Sequence, residues 1–569
     1  MSFFEPLPLA IGFTGHRDIS PDDEDRLRAA LKQRLKQLSD ENAPTRLRVF
    51  TGLAEGGDML FAEAATALGI EMIAVMPVPV DDFVRDFEQP AHPDRNAAEL
   101  RQRFDRLIPK AAAVHVVPAP EGVSPDSVKS YGPERNAQYA AVGAFIVRQS
   151  LILIALWDSI TTDKPGGTGD VVRFKLQGVP PQPGETEVFP APADGGPVLQ
   201  LGSTRVDSMG DVEPAWEEHY PEPRRGFERE FKKALKQFRR FNRDALRFSR
   251  RHPDRVATSR GYLLAPEIEL SPAQARIIEV YGVADAVAIS LQKRARRILG
   301  AITALAVAMV LTFEFYGHLP PTWATRYWIT GYFAAFLIAF LIYLLDSWCQ
   351  FYTRFLDYRG LAEGMRVQIF WHLAGLRELV ADNYLYRQRG ELRWVRDALR
   401  AVMTGMPPTE PRMNLVRKYW IDDQSKYFTR TAKREADVHE VLGWCAVILF
   451  GLGFVMAVYM LLSEWRAETE PLQRDSWLVV GPILLVAFLP ALAAAIKGYA
   501  LKRAYAEHAK QYERMARIFA LARKRLGTIE EMALATRTRS VLLALGREAL
   551  AENAEWILLH RERLIEPPI

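Results

Sequence analysis

Hydrophobic and polar positions divide the 569-residue chain near residue 290. Before that point, short apolar runs alternate with amphipathic stretches. LPLAIGFTG, RLRVFTG, IEMIAVMP, AAVHVVP and LILIALW read as strands. PDDEDRLRAALKQRLKQL, DMLFAEAATALG, AAELRQRFDRLI and ERNAQYAAVGAFIVRQS read as helices, the first started by Ser20 and Pro21. VFPAPADGGPVLQLGS supplies a candidate last strand. Strict alternation of this kind predicts an α/β, Rossmann-like parallel sheet with helices on both faces.

Four long apolar windows follow, at about 298–316, 327–345, 441–463 and 476–496. A bilayer core of ~30 Å needs roughly 20 apolar residues in a helix, so three windows fit and the first is slightly short. None carries a central Asp, Glu, Lys or Arg, which argues against a proton relay or voltage sensor. Lys293 to Arg297, Lys433 and Arg434, and Lys497, Lys502 and Arg503 flank the windows on one side, while the two intervening loops are poorer in cations. The positive-inside rule then places both termini in the cytoplasm, with Trp323, Trp328, Trp444, Trp465 and Trp477 as an interfacial belt. Pro482 and Pro490 are expected to kink the fourth helix. Charged helices lead into and out of each pair of windows, so this half reads as two copies of helix, membrane hairpin and long helix. The expected domains are an α/β domain over 1–210, a helical connector over 211–270, a first hairpin unit over 271–410, and a second over 411–569 with C-terminal cytoplasmic helices.

Composition narrows the function. With 73 basic and 69 acidic residues, net +4, and no polybasic tail, no nucleic-acid partner is expected. Two cysteines, Cys349 and Cys445, form neither a disulfide framework nor a four-ligand zinc site, which fits a reduced, cytoplasm-facing protein. The N-terminal MSFFEPLPLAIGFTGHRD has no charged segment followed by an apolar core, so no cleavable signal peptide is expected. No HExxH or paired CxxC occurs, and no Ser or Cys has an evident base, so neither a metal nor a catalytic triad is predicted. His115 reads as a packed strand residue. The basic, aromatic-laced stretch Arg224 to Arg251 reads as a solvated helix beside an anionic leaflet, or packed on a neighbour.

Four polar and glycine-rich sets fall at predicted strand ends, where ligands of parallel sheets bind. They are Thr14, Gly15, His16 and Arg17; Gly52, Glu55, Gly56, Gly57 and Asp58; Glu134, Arg135 and Asn136; and Asp158 with Gly166, Gly167, Thr168, Gly169 and Asp170. Glycines let backbone N–H groups approach an anion at a positively polarised helix start. Arg17 and Arg135 can pair with phosphate oxygens, and Glu55, Asp58 or Asp158 can accept from ribose hydroxyls or base amines.

GFTGHRD, TGLAEGGDMLFAEAA and the strand-linked GGTGD resemble the SLOG superfamily, over roughly residues 8–205. That superfamily includes the LOG phosphoribohydrolases, the DNA-processing protein of natural transformation and the ligand-binding front of melastatin-type TRP channels. The membrane half is similar in architecture to SLATT domains, two-helix membrane effectors found beside SLOG domains in bacterial defence. In LOG enzymes the glycine loop reads PGGxGTxxE, with a catalytic Glu. Here Gly166, Gly167 and Gly169 match its glycines, Asp170 replaces the Thr, and Arg173 stands in the Glu position. The resemblance therefore implies a pocket that holds its ligand rather than cutting it, with no catalytic residue and no cofactor. The expected protein is a multi-pass effector of the bacterial inner membrane and a homo-oligomer in contact with lipid. It would sense a nucleotide-derived second messenger and alter membrane permeability in antiphage or stress signalling. The alternatives are a membrane-tethered nucleotide hydrolase or glycosidase using Glu55, Asp58 or Glu134, and a housekeeping ligand-gated cation channel.

Overall fold

The computed structural model describes residues 4–92, 94–120, 123–124, 126–160, 165–180, 195–203, 215–319, 325–383, 392–403, 410–467, 477–527 and 534–562. The chain forms two compact units, Met1–Pro253 with Tyr386–Pro407, and Asp254–Leu385 with Pro408–Ile569.

In the first unit the order is β1 (Leu9–Gly15), α1 (Glu24–Asn42), β2 (Leu47–Thr51), α2 (Gly57–Ala67), β3 (Glu71–Met76), α3 (Val80–Phe83), α4 (Ala97–Leu107) and β4 (Ala113–Val116). There follow α5 (Pro133–Gln149), β5 (Ile152–Leu156), α6 (Thr168–Gln177), β6 (Val198–Leu201), β7 (Trp216–His219) and α7 (Arg224–Arg251). The described residues make a seven-stranded sheet in the order β4-β3-β2-β1-β5-β6-β7. It is parallel except for β7, which pairs antiparallel to β6. The apolar runs become the central strands because helices cover both faces: β5 is buried throughout and Phe13 stacks on Phe61 at 4.3 Å. His115 stacks on Phe145 at 4.3 Å, as a packed strand residue should. Of the candidate last strand, residues 188–194 lie outside the described residues and β6 is its end. The charged β7, WEEH, was not anticipated; an edge strand exposes its charges and leaves no apolar run to read. Ser20 makes no side-chain cap, and a 3-10 turn, Pro21–Asp23, precedes α1 instead.

The first compact unit runs past residue 210, through most of the expected connector, to Pro253. Helix α7 belongs to the first unit, burying Phe231, Phe238 and Phe241. Its Asn242 accepts from the Leu7 N–H at 2.8 Å and donates to the Leu7 carbonyl at 2.9 Å. A helix from much later in the chain, Arg393–Met403, joins this unit. Trp394 lies 5.7 Å from the Phe241 ring, Arg393 sits 4.5 Å over Phe227, and Arg48 donates to the Ala401 carbonyl at 2.9 Å.

The second unit is helical: α8 (Pro253–Leu263), α9 (Pro272–His318), α10 (Thr325–Cys349), α11 (Phe351–Leu373) and α12 (Val380–Asn383). After α13, the Arg393–Met403 helix of the first unit, come α14 (Met413–Leu415), a π-helical segment Val416–Asp422, α15 (Asp423–Ala467), α16 (Trp477–Arg503), α17 (Tyr505–Gly527) and α18 (Leu534–Glu562). Ser271 and Gln274 form a capping box that starts α9. Helices α9, α10, α15 and α16 supply four segments long and apolar enough to cross a membrane. At most 17% of each apolar window is buried inside the protein. Rings such as Phe333, Phe454 and Trp444 therefore point outward, an arrangement that water disfavours and lipid accepts. Residues 320–324 and 468–476, which hold much of the two connecting loops, lie outside the described residues.

The two halves of this unit repeat one plan. α9, α10 and α11 pack together, as do α15, α16 and α17. In each half the second and third helices meet at one residue in the left-handed region, Gln350 (φ 53) and Ala504 (φ 55). Helix α16 runs on through Pro482 and Pro490. Gly453 of α15 is seated against the second proline, where a Cβ would meet Pro490 Cδ at 2.9 Å.

Candidate functional site

Strand order reverses at β1: the chain steps outward through β2, β3 and β4, then returns to the other side of β1 as β5. Such a switch point opens a crevice at the strands' carboxyl ends. Thr14 and Gly15 are in register with Ala155 and Leu156, and the His16 N–H donates to the Leu156 carbonyl at 3.2 Å. The His16 ring spans the gap, its Nε2 lying 3.0 Å from Asp158 Oδ1 and 3.2 Å from the Asp158 amide. A protonated Nε2 donates to the carboxylate; a bare one accepts from the amide. In both forms the ring ties β1 to β5.

The glycines after β2 are required by close backbone approach. Gly56 has φ 79, and a Cβ there would lie 2.5 Å from the Arg17 carbonyl oxygen and 2.6 Å from that of His16. The Gly57 N–H donates to the His16 carbonyl at 2.9 Å, and a Cβ on Gly15 would come within 3.2 Å of Gly57 Cα. The turn after β1 thus lies directly on the start of α2, and L side chains would separate them.

Two carboxylates sit behind this turn. Asp58 accepts from Thr51 Oγ1 at 2.8 Å and the Gly52 N–H at 2.9 Å. Burial pushes its carboxyl up to about 6, against the opposing pull of these two bonds and of the Arg17 charge. Glu55, fully buried, accepts from the Ala91 N–H at 2.7 Å and lies 3.8 Å from Arg17 and 3.7 Å from Arg95. Arg17 is about one-third exposed, and its Nε, buried, has no partner among the described residues.

The third and fourth sets depart from expectation. Arg135 does not face the crevice as a free cation. It is buried, donates to the Val128 and Lys129 carbonyls at 2.9 and 3.0 Å, and pairs with Asp86, which Tyr139 also contacts. Glu134 and Asn136 are exposed on the first turn of α5, and their side chains make none of the site's hydrogen bonds. Gly166, at φ 80, packs on the backbone of α5, where a Cβ would lie 2.6 Å from the Ala140 nitrogen. Its N–H donates to Asp170 Oδ2 at 3.1 Å, and Asp170 Oδ1 accepts from Arg173 at 2.7 Å. Asp170 therefore satisfies its own loop, and Arg173 is paired on the exposed side. Gly167 caps α6, leaving the Thr168 and Gly169 amides in a first turn that has no intrahelical acceptors.

The structure thus gathers Thr14 to Arg17, Gly52 to Asp58, and Asp158 around the β1 and β5 ends, with the Gly166–Asp170 loop docked on α5. Sequence reasoning missed Asp86, Arg95, Tyr139 and Tyr131, whose hydroxyl donates to Asp86 at 3.4 Å. Asp86 lies in the stretch DDFVRDFEQP, which has no strand-end or glycine signal, and Arg95 is reached through Glu55. Among the described residues no cluster of His, Cys, Asp and Glu has the geometry of a metal site. Compared with known proteins, the chain matches no family model and no curated protein.

Proposed function

We propose that the crevice at the β1–β5 switch point binds a phosphate-bearing, nucleotide-derived ligand without consuming it. Its occupancy would change the state of the helical membrane unit and so alter membrane permeability. One observation carries this reading: the strand-order reversal brings Gly15, His16, Arg17, Gly56, Gly57, Asp58 and Asp158 together at one sheet edge, with the partly exposed Arg17 guanidinium among them. Arg17 is the group suited to a phosphate, assisted by first-turn amides of α6. The resemblance to SLOG and SLATT proteins supports a role in bacterial antiphage or stress signalling, in the inner membrane with both termini cytoplasmic and as a homo-oligomer.

The reaction expected of a LOG-type hydrolase lacks its acid, because Arg173 occupies that position and pairs with Asp170. Of the acids weighed for an enzymatic alternative, Glu55 is committed to the Ala91 amide and Glu134 is exposed. Asp58, whose carboxyl burial pushes up to about 6, has the raised value such chemistry would use, although the Thr51 hydroxyl and the Gly52 N–H both occupy its Oδ1. Incubating full-length protein in lipid nanodiscs with nucleoside monophosphates, cyclic dinucleotides and NAD-like dinucleotides tests both readings. Saturable binding with the ligand recovered intact by chromatography supports the sensor; catalytic turnover supports the hydrolase.

A further inference from the structure

Helix α7 turns two unlike faces. Phe231, Ala234, Phe238, Phe241, Ala245 and Ser249 are buried at three- and four-residue spacing, which fixes one face against the rest of the first unit. On the opposite face Arg229, Lys233, Lys236, Arg243, Arg247 and Arg251 are exposed, and the half-buried Arg240 fills the gap in the same spacing. At a rise of about 1.5 Å per residue the row extends roughly 33 Å. Among the described residues none of the six exposed cations lies within ion-pair distance of a carboxylate. The acids of the helix sit elsewhere: Glu228 pairs with Lys232 at 2.6 Å, Glu230 falls to one side of the row, and Asp244 is half-buried at its border. The phenylalanines of α7 are all buried or half-buried, so the charged row carries no exposed ring.

Cations three and four residues apart on one helix repel one another. With no acid paired to it, the row is complementary to an extended anionic surface. A bilayer containing anionic lipid presents such a surface, and the same chain supplies four segments able to cross one. We propose that the exposed face of α7 is a docking surface for anionic phospholipid headgroups, on the side of the membrane that carries the first unit. The apolar face of the helix is used inside the protein, so α7 rests on headgroups and does not insert among acyl chains. The attraction is therefore electrostatic and screened by salt. Nucleic acid is also anionic, but only lipid is kept beside this unit by the chain itself.

The test places full-length protein in nanodiscs of phosphatidylcholine, with or without phosphatidylglycerol. Neutral N-hydroxysuccinimidyl acetate labels exposed lysines, and mass spectrometry follows Lys233 and Lys236, with the exposed Lys110 of the same unit as reference. Phosphatidylglycerol should at least halve the labelling rate at Lys233 and Lys236 and leave Lys110 unchanged. Raising the salt concentration should restore the rate. In R243Q/R247Q/R251Q the protection should weaken; the salt series on the wild type serves if that variant does not assemble. Equal rates in the two kinds of disc, or protection that ignores salt, overturn the proposal. Protection by duplex DNA added to phosphatidylcholine discs, with none from phosphatidylglycerol, overturns it too and assigns the face to nucleic acid. Neither the β1–β5 crevice nor its ligand enters this assay, so its failure leaves the proposed function standing.

Discussion

Asp58 shows how a single residue links stability to the site. Its carboxyl rises from the ordinary 3.8 to about 6, chiefly through burial. A group whose folded value is raised binds its proton more tightly in the native state. The stability it contributes is full below pH ~4 and is lost as pH climbs through ~6. At neutral pH the ionised form costs on the order of 3 kcal/mol. Both hydrogen bonds end on Oδ1, which an asparagine oxygen can replace. D58N should therefore raise the unfolding midpoint of the full-length protein at pH 7 and flatten its decline between pH 4 and 6. An unchanged pH profile in D58N would remove the assignment. Glu552 on α18 behaves similarly: burial, then the Glu363 carboxylate, push it up to about 8. Stability should fall as pH rises toward ~8, and E552Q should be less sensitive over that range.

At the scale of elements, Arg17 and Arg135 part company. Both looked like phosphate ligands because both follow strand- or helix-start signals. Arg135 instead anchors α5 to the chain before and after β4: the Val128 and Lys129 carbonyls and Asp86 take its two terminal nitrogens. Removing one member of a buried, hydrogen-bonded pair costs about 3–5 kcal/mol, so R135A should lower the unfolding midpoint whether or not ligand is present. R17A should leave the midpoint nearly unchanged and weaken nucleotide binding by about 1.5–3 kcal/mol, read by titration calorimetry. In the membrane unit, Gly453 lets α15 approach Pro490 of α16. G453V should force them apart and lower the detergent-phase unfolding midpoint, whereas G451V, which faces open space, should not. The strands and apolar helices were legible because burial on both faces, or in lipid, demands unbroken apolar runs. Arg135 was not, because its partner lies 49 residues away in a stretch without periodicity. The strand β7 was hidden by its charges.

Across the whole molecule, the strand–helix alternation ends near residue 210, well before the apolar windows begin at about 298. Packing divides the chain elsewhere, because the apolar face of α7 and the Trp394 helix fold back onto the sheet unit. No local pattern reveals that return, since an amphipathic helix shows that it will be covered but not by what. The repeat was legible as weak similarity of charged helices, and the paired breaks at Gln350 and Ala504 give it a structural counterpart. A truncation meant to remove the sensor must respect the same division: cutting at residue 210 would strip α7 and α13 of their partners and expose Phe231, Phe241 and Trp394.

The central claim is that a ligand held at the β1–β5 crevice controls the membrane unit, and a ligand shifts such an equilibrium only through its different affinity for the two states. Ion flux through liposomes carrying the full-length protein measures this directly, with a panel of cyclic dinucleotides, nucleoside monophosphates and NAD-like dinucleotides added on the sensor side. At least one compound should change the flux of the wild type, and R17A should require a higher concentration for the same response while K497Q should not. Flux that is identical with and without every compound that binds, or a response untouched by R17A, would contradict the central claim.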